Sequence, residues 1–180
     1  MAGDDGWFAG ADGRGAHEVA FLDRLRADAP DVLGERVAPE ATEAVPGMAP
    51  TFVRLDVPGL TSPRRELQLA FWTSPDCATS AERPTLQGAW SDHYQGDDYA
   101  ADDPECLTVV GVDATPEQHA RWALAWIRRQ LDRPVVREEW TRGERTVATR
   151  WVLDDTGAPL GSRGMVRLRR RPADRRTRER

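Results

Sequence analysis

The segment TPEQHARWALAWIRRQLDRP, residues 115–134, constrains the fold of this chain more than any other. Thr115 stands at the N-cap, Pro116 at the first helical position and Gln118 three residues after the cap. That is a capping box, with proline where a helix tolerates it. Pro134 stops the helix. Ala120, Ala123, Leu124, Ile127 and Leu131 share one face; Glu117, Gln118, Arg121, Arg128 and Arg129 share another. His119, Trp122 and Trp126 flank the aliphatic stripe and widen the apolar arc to about half the circumference.

The flanking segments supply the surface that such a helix needs. TFVRLDV (51–57) and ELQLAFW (66–72) alternate apolar and polar residues and read as half-buried strands of a hairpin. LQGAWSDHY (86–94) is a weaker strand and CLTVVGV (106–112) a short apolar one. VVREEWTRGERTVATRWVLDDTG reads as a second hairpin turning at Gly143, and MVRLRRR as a short edge strand. An earlier helix runs from His17 to Pro30, with Val19, Phe21, Leu22, Leu25 and Arg26 at spacings of three and four. Pro30 is expected to end it. Residues 30–50, with four prolines, read as a loop or wrapping segment. The pattern predicts an α+β fold, a mainly antiparallel sheet with helices packed on one face. The expected organisation is a flexible N-terminal lead (1–15), a single α+β domain (16–168) and an arginine-rich disordered tail (169–180).

A chain of 180 residues can bury a real core without disulfides or a structural metal. Its 39% hydrophobic and 31% charged content is that of a folding sequence. Seven tryptophans mark a core, a binding face, or both. All 25 basic residues are arginine, which follows from a GC-rich coding bias and carries no function by itself. Residues 165–180 hold eight arginines against Asp174 and Glu179, a charge of +6, so the other 164 residues carry −11 of the total −5. An acidic body repels the phosphate backbone and disfavours nucleic acid, except through the basic tail. The lead lacks the apolar segment of a signal or transit peptide, and no window has the length of a membrane span. Cys77 and Cys106 are isolated in sequence. The expected location is therefore cytoplasmic, with both thiols reduced.

SDHYQGDDYAADDPEC, residues 91–106, concentrates the groups able to do chemistry. Asp92, Gly96 and Glu105 miss the register of an EF-hand loop. Zinc wants paired histidines or cysteines, whereas His93, His119 and Cys106 are scattered. No metal and no cofactor are therefore expected. Carboxylates beside a histidine could serve acid–base chemistry in a pocket, and a solvated acidic loop between strands accounts for the same composition. No nucleophile signature and no glycine-rich phosphate loop between strand and helix occurs.

The tryptophans near this stretch suggest another use. Aromatic anchors with charges at the rim make a protein-binding surface. The candidate binding residues are Trp90, Asp92, His93, Asp97, Asp98, Asp102, Asp103, Trp122 and Trp126, with Trp90 and Trp126 as the expected apolar anchors. The expected partner is a protein with a basic face. Two alternatives stay open: a small metal-dependent hydrolase using His93 with Asp92, Asp97 or Glu105, and an accessory protein holding a small apolar ligand between sheet and helix.

Glu66 to Leu153, about half of the chain, resembles small immunity proteins of bacterial polymorphic toxin systems. The similarity rests on the strand ending in Trp72, the AWSDHY strand end, the capped helix TPEQHARWALAWIRRQLDRP and the hairpin VVREEWTRGERTVATRW, in that order. It implies a non-enzymatic cytoplasmic protein that blocks a cognate toxin. Many such proteins are acidic, which suits a basic nuclease.

Overall fold

A computed structural model describes residues 6–10, 12–45, 51–72, 83–92, 102–164 and 171–180. The fold is α+β with mainly antiparallel sheets. The chain separates into two compact units, Met1–Pro58 with Glu66–Leu131, and Gly59–Arg65 with Asp132–Arg180. Residues 16–168, expected as a single domain, contribute to both units.

Among the described residues the first unit holds a six-stranded sheet and two α-helices. The strands run in chain order: β1 (Ala9–Gly10), β2 (Thr42–Val45), β3 (Thr51–Asp56), β4 (Glu66–Trp72), β5 (Thr85–Ser91) and β6 (Leu107–Val109). Among the described residues, only the β1–β2 pair is parallel. The expected hairpin of β3 and β4 is present, with Val53 opposite Leu69 and Leu55 opposite Leu67. Helix α1 (Ala16–Leu33) and helix α2 (Pro116–Leu131) pack on the same face of this sheet. Phe21 of α1 stacks on Phe71 of β4 with ring centroids 4.3 Å apart. Trp126 of α2 lies over Gly88 of β5, whose register partner Leu69 shares the face of Phe71. Each aromatic or aliphatic side chain fully buried here stabilises the fold by roughly 1.5–3 kcal/mol.

Three local expectations are corrected. Helix α1 continues past Pro30 to Leu33 and ends at Gly34, whose φ of 23° departs from the helix. Proline there removes one backbone donor near the end of the helix, while Leu33 gains full burial. Residues 42–45 are strand, not loop: Thr42 and Ala44 point inward and pair with Leu55 and Val53. Within the lead expected to be flexible, Phe8 is tied down. Phe8 is fully buried, its N–H donates to Thr42 Oγ1 at 2.8 Å, and Arg26 donates to its carbonyl. These bonds hold Phe8 at a φ of 49°, rare for a bulky side chain.

The second unit is a four-stranded antiparallel sheet in the order β10-β7-β8-β9, formed by β7 (Val135–Arg142), β8 (Arg145–Leu153), β9 (Pro159–Gly164) and β10 (Arg175–Arg178). The expected hairpin is β7–β8, with Gly143 at a φ of 62° in its turn. Within the tail expected to be disordered, Arg175–Arg178 form a strand. Arg175 to Arg178 pair with Glu139 to Val136, and Glu179 accepts bonds from Thr61 and Arg137. The expected edge strand at MVRLRRR falls mostly outside the described residues. The segment 59–65 completes this unit: Trp151 donates to Thr61 Oγ1 at 3.2 Å, and Gly161 lies under Ser62 and Pro63.

Candidate protein-binding surface

The two units differ sharply in charge. The first holds 22 carboxylates against nine arginines, a charge of −13; the second holds 16 arginines against eight carboxylates, a charge of +8, which together give −5. The acidic character is thus a property of the unit built by α1, α2 and the six-stranded sheet.

Helix α2 organises its described surface. The capping box forms as expected: Thr115 N–H donates to Gln118 Oε1 at 2.8 Å, and Gln118 N–H to Thr115 Oγ1 at 3.3 Å. The Thr115 hydroxyl, and then the backbone at Glu117 itself, hold the Glu117 carboxyl below its ordinary range. An ionised carboxylate in the first turn favours the helix dipole. All five residues of the aliphatic stripe are buried.

The tryptophans divide. Trp126 is 2% exposed and Trp90 6%, so both expected anchors belong to the core. Trp90 donates to Gln130 Oε1, while Gln130 Nε2 and Trp126 Nε1 both donate to the carbonyl of Glu105 at 3.3 Å. Trp122 is 38% exposed. His119 holds its ring at an edge-on centroid distance of 5.2 Å. The His119 ring is itself fully buried, with Nδ1 2.9 Å from the Thr115 carbonyl. That carbonyl can only accept, so Nδ1 is the donor in this contact.

The acidic stretch reaches this helix through its last residues. Asp103 Oδ1 accepts the Glu105 N–H at 2.9 Å, and the Asp103 carbonyl accepts from Cys106. Asp103 therefore closes a turn, as a short carboxylate does. The clamp on Glu105 fixes this turn at Trp126, about 6 Å along α2 from Trp122. Asp102 and Asp103 are exposed and Asp92 half-buried; His93, Asp97 and Asp98 lie outside the described residues. Among the described residues, no three histidine, cysteine, aspartate or glutamate side chains gather as a metal ion would require. Gln130 was missed in the sequence. Its signal is an amide on the apolar arc, three and four residues beyond Ile127 and Trp126.

No protein-family model, no curated protein and no solved structure matches this chain. Among the described residues no helix is long and apolar enough to cross a membrane.

Proposed function

We propose that the protein is a non-enzymatic binding protein whose acidic unit docks a partner protein with a basic face, in the manner of the immunity proteins that residues 66–153 resemble. The observation that carries this reading is Trp122. It is a large apolar side chain left at the surface of a unit of charge −13, on the helix to which the Asp102–Asp103 turn is fixed. A half-exposed tryptophan loses little entropy on binding and supplies a large contact area. The carboxylates steer a basic partner and raise its association rate. Trp90 and Trp126 support this surface from beneath. In this reading the protein works in the cytoplasm, where Cys106 remains a thiol.

The test is capture of the partner from host lysate, its identification, and titration of the purified pair over a range of salt. Trp122→Ala should weaken binding at least tenfold. Replacing Asp92, Asp97, Asp98, Asp102 and Asp103 by asparagine should flatten the salt dependence. Unchanged affinity and unchanged salt response in both variants would overturn the proposal.

A further inference from the structure

Three of the four exposed large apolar side chains among the described residues gather at one margin of the acidic unit. They are Val110, Val112 and Trp122; Val19 on α1 is the fourth. Strand β6 brings the three together. Among the described residues it ends the sheet, with β5 as its neighbour. Leu107 is the register partner of Gly88 and Val109 of Leu86, so both point to the face on which α2 lies. Both are half-buried. The chain then leaves the sheet through Val110, Gly111 and Val112, and Arg83 holds this exit by donating to the Gly111 carbonyl at 3.0 Å. Val110 is 46% exposed and Val112 40%.

Helix α2 sets Trp122 beside the same strand. Trp126 and Leu107 both close on Gly88, so this face of α2 lies over the β5–β6 margin. Trp122 stands about 40° round the helix from Trp126 and about 140° from Glu117. The Glu117 carboxylate is the one that feels Arg24 of α1. Trp122 is therefore on the side of α2 turned away from α1 and toward β6. Its ring meets His119, and His119 meets Phe71 of β4. The register row of Phe71 runs through Leu86 to Val109, which places Trp122 near the Val109 end of β6.

This margin has the form of a site for an added strand. A segment laid along β6 would turn every second side chain to the face of α2, where Leu107, Val109 and Trp122 give apolar surface. The charges at the two ends of β6 set the chemistry of that segment. Asp102, Asp103 and Glu105 precede the strand, and Asp113 follows it with a side chain 92% exposed. Against these four carboxylates stand Arg83, 4.0 Å from Asp113, and Arg129, about two turns along α2 from Trp122. The surplus is negative, as it is for the unit as a whole. Basic residues at the ends of the added segment complement it.

We propose that the partner protein enters as an extended segment, apolar at alternate positions and basic at its ends, that pairs with the outer edge of β6 and packs between Trp122 and Val110 and Val112. The proposal rests on the protein-partner reading above and names how that partner docks.

The test uses the full chain and a fluorescently labelled, end-capped peptide, Arg-Arg-Val-Thr-Val-Arg-Arg, followed by anisotropy at low salt. Two further peptides carry backbone N-methyl groups, one at the odd positions and one at the even positions. In an added strand one of these sets of N–H groups bonds β6 and the other meets solvent. One methylated peptide should therefore bind as the parent does, and the other about tenfold more weakly, the loss of two or so hydrogen bonds. Val110→Asp with Val112→Asp, at positions already exposed, should weaken the parent peptide by a similar factor, as should Trp122→Ala. Absence of binding at about 1 mM peptide, equal binding of both methylated peptides, or unchanged affinity in the valine variant would overturn the proposal. The captured partner supplies the second measurement. Its binding should slow hydrogen exchange across residues 106–112. A partner that needs Trp122 but leaves this exchange unchanged overturns strand addition and keeps the protein-partner reading. A partner indifferent to Trp122 and to the five aspartates overturns both.

Discussion

Trp90 donates its indole N–H to Gln130 Oε1 at 3.1 Å, joining strand β5 to helix α2 through two buried side chains. Gln130 spends its other end on the Glu105 carbonyl, which also accepts from Trp126. One amide therefore satisfies a core donor and ties the acidic turn to the helix.

Gln130→Leu keeps the volume and removes the acceptor. It should destabilise the acidic unit by about 1–3 kcal/mol, the cost of leaving a buried donor unpaired. Adding Trp90→Phe removes the orphaned N–H, so the double variant should lose less than the sum of the two single losses. Urea unfolding followed by circular dichroism measures this. Strict additivity would show that the bond contributes nothing.

Gly88 sets how closely α2 approaches the sheet. A Cβ there would fall 2.6 Å from Leu69 Cδ2, 3.2 Å from Trp126 Cζ3 and 3.3 Å from Leu107 Cβ. Gly88→Ala should cost about 1–3 kcal/mol by overpacking. Leu69→Ala should itself cost about 2–5 kcal/mol, and the double variant should lose less than the sum of the two single losses, because the nearest clash is with the Leu69 methyl. A thermal melt of the three variants decides it.

The two tryptophans on α2 should separate folding from binding. Trp126→Ala removes a buried ring and should cost about 3–5 kcal/mol. Trp122→Ala removes a half-exposed one and should cost about 1 kcal/mol or less. Denaturant midpoints of both variants test this. Equal losses would place Trp122 in the core and withdraw it as an anchor.

These outcomes bear on what the sequence made legible. Element types were visible wherever periodicity was strong: the capping box at Thr115 and Gln118, the alternation of Val53, Leu55, Leu67 and Leu69, and the hairpin around Gly143. The fate of Trp122 and Trp126 was not visible. They stand four residues apart, about 40° on the wheel, and which one the sheet covers depends on Gly88 admitting Trp126. The tail was misread because the charge of Arg175–Arg178 dominates its composition. Its pairing partners, Glu138 and Glu139, lie more than 35 residues away on β7. A strand's neighbours follow from register and not from proximity in sequence.

Asp155 in the basic unit gives a prediction in pH. Arg133 donates to both of its carboxylate oxygens, at 2.8 and 2.9 Å, and also to Thr156 Oγ1 at 3.0 Å. That hydrogen bonding, more than the opposing desolvation, holds the Asp155 carboxyl below its ordinary range. A carboxyl depressed in the folded state adds stability that is fully present above its unfolded value, about 3.9, and is lost as pH falls through the folded value. Asp155→Asn should therefore unfold more readily than the parent at neutral pH, and the gap should close as acid protonates Asp155. Because the pair is partly exposed, raising the salt concentration should narrow the same gap at pH 7. Melting temperatures of the two proteins across an acid series measure the effect. A gap that stays constant into acid would mean that Asp155 acts through the shape of its turn and not through its charge.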